Sequence, residues 1–382
     1  MPRLLKRLEL ANKAVWKRVF RVVLAAKGKR PADLSDVRKI LFIRHDRIGD
    51  MIVSTPLFRG IKEMRPGIEV GVLASPGNSR VVEADPNVDH IYRISRLHPL
   101  QSAGEIARAR KAGYDAVVYL LLNDSLSGSI IANLVAPRGV KIARDSREHR
   151  HYYDLLVPIA RENKHSMVEL LLPFLRVFGP LPPADHLRPY VVVGERVEEK
   201  VSRVLSSLGF GEREPFILVN ISAGKPRCRW DEMQCRGLIR EILASEEVPS
   251  AAVIITDPRD REVGEAISRE FEGKRARLYP MTDDLMEVAC VIARAVAVVT
   301  PDTSIIHFAS AMGTPVVGLY TRLELRTMEW QPYQVLRRTI FADEGRPVSS
   351  IPARAVYAGL VDLLEEAGII GRQGDQARIQ SR

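Results

Sequence analysis

The chain has 382 residues, 46% of them hydrophobic and 27% charged, with 24 prolines and a formal net charge of +10. That is ordinary globular composition at a length suited to two or three domains, and it excludes disorder of the whole chain. No apolar stretch approaches the roughly 18 residues of a membrane helix, and Cys228, Cys235 and Cys290 form neither a CxxC pair nor a Cys/His zinc spacing, which fits a reducing compartment.

Residues 1–30 carry ten Lys or Arg against one acid, Glu9, and place Leu4, Leu5, Leu8, Val15, Trp16, Phe20, Val23 and Leu24 at mostly helical spacings. A basic helix with a Trp/Phe/Leu face predicts an interfacial helix on an anionic membrane surface. An arm packed on its own domain and a basic helix for nucleic acid are the other readings. Nucleic acid is disfavoured, because only 6% of residues are aromatic and no zinc-finger or RNA-binding signature occurs. With no signal-peptide pattern at the start, the expected place is the cytoplasm, peripherally on the inner face of the cytoplasmic membrane.

After this extension, residues 1–38, short apolar runs begin. KILFI (39–43), EVGVLA (69–74), HIYRI (90–94), DAVVYLL (115–121) and GVKIA (139–143) read as strands, with helical stretches such as 57–64 and 104–112 between them. The second half repeats the grammar in PFILVN (215–220), AAVIIT (251–256), ARLYP (276–280), AVAVVT (295–300) and TPVVGLY (314–320). Alternating strand and helix predicts parallel sheets covered on both faces. The proline-rich GPLPPADHLRP (179–189) separates the halves. The expected organisation is two α/β domains, 39–185 and 190–350, facing across a cleft, then a terminal helix within 351–370 and a loose tail over 371–382.

Between KILFI and the helix that should begin near Asp50 or Met51 lies IRHDRIGDMIVSTP (43–56), with Arg44, His45, Asp46, Arg47 and Asp50 in quick succession. In open parallel sheets, ligands bind beyond the carboxyl ends of strands, so this loop is a candidate site. Gly49 permits close backbone approach or an unusual dihedral. A solvated loop, with Asp50 as an ordinary cap, is the plain alternative. No GxGxxG follows, which weighs against a nicotinamide enzyme.

NISAGKPRCRWDE (220–232), also directly after a strand, gathers Ser222, Gly224, Lys225, Arg227 and Arg229. Phosphate groups need that mixture of charge and close donors, although a solvated basic loop whose Trp230 packs on the core is also open. In VVTPDTSIIHFASAMGTPVVGLY (298–320), a strand ends at Thr300, a helix runs from about Ser304 to Met312, and Gly313 stops it. Thr303 or Ser304 can cap this helix, leaving N–H groups at its start, where Ile305 lies, as a site for a diphosphate. Asp302 would then be able to accept from sugar hydroxyls. Plain capping of a buried crossover helix is the alternative, and His307 suits packing as well as catalysis.

Together these stretches resemble glycosyltransferase family 9, the heptosyltransferase family of lipopolysaccharide assembly. KILFIRHDRIGDMIVSTPLFRGIKEMRPG is similar to the family's opening strand, IGD loop and first helix. PDTSIIHFASAMGTPVVGLY is similar to its Asp-Thr/Ser…His…Gly-x-Pro segment, and GKPRCRW to its basic loop ending in Trp. The resemblance spans about residues 39–365. It implies a GT-B fold of two Rossmann-like, doubly wound domains, with acceptor held mainly by the first and nucleotide-sugar donor by the second. It also implies inverting transfer from an ADP-heptose-type donor to a lipid-linked, lipopolysaccharide-core-type acceptor.

By the match of IGD, Asp50 is the implied base, with Arg44, Arg47 and Gly49 on the acceptor side. The implied donor-binding residues are Ser222, Lys225, Arg227 and Arg229 in the basic loop, and Asp302, Thr303, Ser304, Ile305 and His307 at the helix start. Met281, beside Thr282, is a candidate for base recognition. No cofactor is expected. No Asp-x-Asp pair occurs in the chain, so leaving-group stabilisation without a divalent metal is the working expectation. Two departures stand out. The family's lysine two places before the Trp is Cys228 here, and the glycine of its DTG is Ser304. A nucleotide-sugar epimerase of the same two-domain build and a non-catalytic binding protein are the competing readings.

Overall fold

In the computed structural model, which describes residues 34–160, 166–322 and 330–371, KILFIR forms the first strand, β1 (Lys39–Arg44), with Ile40, Leu41, Phe42 and Ile43 fully buried. The basic segment 1–30 and the tail beyond residue 371 lie outside the described residues. Among those described, residues up to 160 together with Glu169–Leu187 make one compact unit, and 166–168 together with those from Arg188 onward make a second.

In the first unit β1 leads through α1 (Ile48–Ile52) and α2 (Thr55–Met64) to β2 (Glu69–Ala74) and β3 (His90–Arg93). Then follow α3 (Pro99–Ala112), β4 (Ala116–Tyr119), α4 (Leu126–Val135), β5 (Val140–Arg144), β6 (Leu155–Val157) and, beyond the sheet, α5 (Met167–Arg176), whose first two residues fall in the second unit. All pairs are parallel, in the order β3-β2-β1-β4-β5-β6. Burial on both faces explains why the central strands are continuous apolar runs. Gly71 on β2 is required by close approach: a Cβ there would lie 2.1 Å from the Tyr114 hydroxyl, which is hydrogen-bonded to Tyr92 at 3.0 Å.

The second unit repeats the plan: α6 (Glu195–Ser207), β7 (Ile217–Asn220), α7 (Glu232–Ala244), β8 (Ala252–Ile255), α8 (Arg261–Glu270) and β9 (Ala276–Leu278). It continues with α9 (Leu285–Arg294), β10 (Ala297–Pro301), α10 (Ser304–Met312), β11 (Val316–Tyr320), β12 (Arg337–Phe341) and α11 (Ala353–Glu366). The parallel sheet runs β12-β11-β10-β7-β8-β9. Gly313, at φ 77°, ends α10 in the left-handed conformation that glycine tolerates best.

Both sheets therefore have the doubly wound order in which strand sequence reverses at the first strand, between β1 and β4 and between β7 and β10. Ligands of such sheets bind outside the carboxyl ends at that switch point. The expected α/β class of two doubly wound parallel sheets is present. The sequence reading missed β6 and β12, both of them sheet edges. Their side chains are mostly only half-buried, so neither has the apolar run that marks an interior strand. No helix among the described residues is long and apolar enough to cross a membrane.

Candidate active site

At the β1–β4 switch point Arg44, the last residue of β1, is turned inward and only 1% exposed. Its Nη2 donates to Asp50 Oδ1 at 2.8 Å, its Nε to the Asp50 backbone oxygen at 3.0 Å, and its Nη1 to Leu120 O, just past β4, at 2.8 Å. Asp46 Oδ2 stands 3.4 Å from the same Nη1. The Arg44 and Arg47 carbonyls accept from Asn78 Nδ2 at 3.0 and 3.4 Å, which ties the loop to the segment after β2. Asp50 lies in the first turn of α1, and its side chain keeps 13% exposure. Burial lowers the His45 pKa, and the charges of Arg96 and Arg44 push in the same direction against a backbone hydrogen bond that raises it.

Three expectations change here. The helix starts at Ile48 rather than near Asp50, with Arg47 at the cap position and no side-chain cap, so Asp50 is not a capping residue. Gly49 is buried within that helix and is not among the glycines with positive φ. Arg44, expected to face an acceptor, instead holds Asp50. Arg47 is exposed.

The second unit's switch point is bridged in the same way. Asn220, the last residue of β7, donates from Nδ2 to Thr300 Oγ1 on β10 at 2.9 Å and to Thr303 Oγ1 at 3.3 Å. Its Oδ1 accepts from the Ser222 N–H at 3.1 Å. Ser222 Oγ in turn accepts the Asp257 N–H at 2.8 Å, linking the loops after β7 and β8. The basic loop is anchored by Trp230, which is buried and donates from Nε1 to Ile351 O at 2.8 Å. It is also anchored by Arg229, whose Nη2 pairs with the buried Asp260 at 2.7 Å.

Cys228, two places before Trp230, is buried. Burial and the Asp302 carboxylate push its thiol up in pKa, while Lys225 and Arg227 pull it down. The basic loop and the turn before α10 are thus electrostatic neighbours. Thr303, not Ser304, caps α10, and it accepts the Ile305 N–H at 3.3 Å. That amide, expected to be open for phosphate, is occupied in this state. His307 is 5% exposed and packs edge-on against Trp330 at 5.6 Å between ring centres. Met281 receives the Thr256 hydroxyl on its sulfur at 3.3 Å.

The sequence reading passed over Asn220 and Glu287. Glu287, on α9, is buried and accepts from Tyr279 at 2.9 Å, Thr282 at 2.7 Å and Lys200 at 2.5 Å, fixing the turn that carries Met281 and Thr282. Burial raises its pKa, but the bonds from Lys200, Thr282 and Tyr279 outweigh this and hold it below the usual carboxylate range. An acid among the apolar positions of LMEVACVIAR is the signal that could have found it.

The family profile described as glycosyltransferase family 9 (heptosyltransferase) matches residues 106–349. The chain is 25% identical over 305 residues to lipooligosaccharide heptosyltransferase 2 of Haemophilus influenzae, covering 74% of this chain and 82% of that protein. Among solved structures, a glycosyl transferase family 9 protein from Veillonella parvula superposes with a TM-score of 0.75 at 18% identity, over 88% of this chain and 100% of that one. The ADP-heptose lipopolysaccharide heptosyltransferase II of Escherichia coli superposes with a TM-score of 0.68 at 21% identity, over 86% and 99%.

Proposed function

The chain belongs to glycosyltransferase family 9, and we propose that it moves a heptose or related sugar from a nucleoside-diphosphate donor, ADP-heptose, to a lipopolysaccharide-core-type acceptor with inversion. The heptosyltransferase relatives support that donor and acceptor class. The observation that carries the mechanism is the buried Arg44 fork on Asp50, which fixes a carboxylate at the switch point of the first sheet. Asp50 takes the proton of the acceptor hydroxyl as that oxygen bonds to the anomeric carbon. The anomeric carbon–oxygen bond to the diphosphate breaks, and the electron pair leaves with the phosphate oxygen.

The leaving diphosphate needs positive charge and aligned dipoles. Lys225 and Arg227 are assigned that task, together with the N-terminal end of α10, while Arg229 is held by Asp260. Asp302 is assigned to sugar hydroxyls, and the Met281–Thr282 turn to the base. Cations in place of an Asp-x-Asp clamp make the transfer metal-independent in this account. Residues 1–30 are assigned to an anionic membrane surface, which keeps the enzyme peripheral on the cytoplasmic face beside a lipid-linked acceptor.

The test is incubation of the intact protein with ADP-heptose, with and without a lipopolysaccharide-core acceptor, following ADP and product. The expected result is ADP released in step with an acceptor carrying one more heptose of inverted anomeric configuration. A changed sugar still joined to its nucleotide, or acceptor-independent release of ADP, contradicts the proposal.

A further inference from the structure

The two most exposed large hydrophobic side chains among the described residues are Leu97 at 85% and Leu100 at 89%, three positions apart where the turn after β3 enters α3. This turn is held rigidly. Ser102 Oγ donates to Ser95 O and His98 O at 2.8 and 2.9 Å and accepts the Ser95 N–H at 2.8 Å, while the Leu97 N–H donates to Ser95 Oγ at 3.2 Å. Pro99 then opens the helix. A locked turn that holds two leucines in water is an interaction feature rather than a frayed loop.

Charge indicates what meets it. The nearby acids are already matched: Glu83 pairs with Arg93 at 2.6 Å and Glu105 with Arg108 at 2.9 Å. Arg96, exposed beside Leu97, makes no ion pair with a described residue, and His98 and Arg47 are exposed at the same end of the sheet. The tip therefore combines apolar side chains with net positive charge, which matches an anionic bilayer surface. A second copy of the chain fits less well, since a stable interface needs about 800 Å² per partner and a two-leucine turn cannot supply that.

We propose that the Arg96–Leu100 turn is a membrane-docking tip that inserts Leu97 and Leu100 among anionic lipids. Because β3 and β1 run parallel and finish at the same carboxyl end of the sheet, docking there brings the Asp50 loop to the lipid surface. This deepens the transfer reading, which needs a lipid-borne acceptor, but its test does not pass through transfer.

The three native cysteines are buried, so Leu100→Cys in the intact chain can be labelled selectively with an environment-sensitive fluorophore. Lys111→Cys, roughly 16 Å further along α3, is the control. With phosphatidylcholine vesicles containing phosphatidylglycerol, the label at position 100 should brighten and shift to shorter wavelength while the control stays water-like. Leu97→Ser combined with Leu100→Ser should lower vesicle partitioning roughly tenfold or more and leave turnover of a soluble acceptor fragment unchanged. A water-like label at position 100 in vesicle-bound protein overturns the proposal. So does a shift that appears without lipid and grows with protein concentration, which would identify a second copy as the occupant. Insertion by a protein that transfers no heptose supports the docking tip and overturns only the transfer reading.

Discussion

Arg44 and Asp50 form a fork in which one buried guanidinium holds both the carboxylate, at 2.8 Å, and the backbone oxygen, at 3.0 Å, of the same residue. Its third arm reaches Leu120 O at 2.8 Å, so the carboxylate is referenced to two neighbouring strands at once. Lysine has the charge but not the planar fork. Arg44→Lys is expected to lower kcat at least tenfold with little change in donor KM. Arg44→Met, which leaves Asp50 without its buried partner, should in addition destabilise the protein by about 3 kcal/mol or more. Steady-state kinetics beside urea unfolding separates the two effects, and wild-type kcat in the lysine variant would remove Arg44 from the account.

The basic loop divides into cations with different tasks. Asp260 is buried, and its Oδ2 has no hydrogen-bond partner among the described residues. Arg229→Ala therefore leaves a poorly satisfied buried carboxylate and should cost about 1 to 3 kcal/mol of stability. Arg227→Ala should weaken nucleoside-diphosphate binding by about 1.5 to 3 kcal/mol. Calorimetric titration with ADP and with adenosine decides the matter, because only the diphosphate should lose affinity. Equal losses for both ligands would make Arg227 a general structural residue.

Asn220 is expected to act on donor binding without touching donor chemistry. Asn220→Leu removes the donor that joins Thr300 and Thr303 and loosens the cap of α10. A stability loss of about 1 to 3 kcal/mol should accompany a weaker ADP complex, while Asn220→Gln, which keeps the amide, should recover part of both. If the leucine variant bound ADP as wild type does, the β7–β10 bridge would have no role at the donor site.

His149 gives the first unit a pH dependence. It is 1% exposed and its Nδ1 contacts Arg144 O at 3.0 Å. Burial lowers its pKa, and the Arg144 carbonyl and Asp124 only partly oppose this. The unfolded chain takes up a proton near pH 6.5 while the folded one still excludes it. Stability is therefore unaffected above that pH and falls as the pH drops through it toward the lowered folded value. His149→Gln should flatten this decline between about pH 7 and 5, leaving the slope that His45 contributes with the same sign. An unchanged slope in unfolding free energy would exclude His149 as its source.

Much of this was legible in the sequence because parallel sheets write their interior strands as unbroken apolar runs. KILFI and PFILVN announced β1 and β7, and the polar residues at their ends pointed to a candidate site at each switch point. What escaped was direction and distance. The sequence gives Arg44 a charge but does not say that its side chain turns inward to Asp50 rather than outward to a ligand. Asn220 finds its partners at Thr300 and Thr303, some eighty residues on, a pairing no local pattern contains. RRTIF became β12 despite its two arginines, because an edge strand needs no apolar face on its open side.

The central claim is that Asp50 is the base of a glycosyl transfer, and Asp50→Asn tests it most directly. The change is nearly isosteric, so the fold and the Kd for ADP should stay within a few-fold of wild type. The transfer rate at saturating donor and acceptor should fall by about a hundredfold to ten-thousandfold, the usual contribution of a positioned general base. A variant that bound ADP normally and still transferred heptose within a few-fold of the wild-type rate would contradict the account.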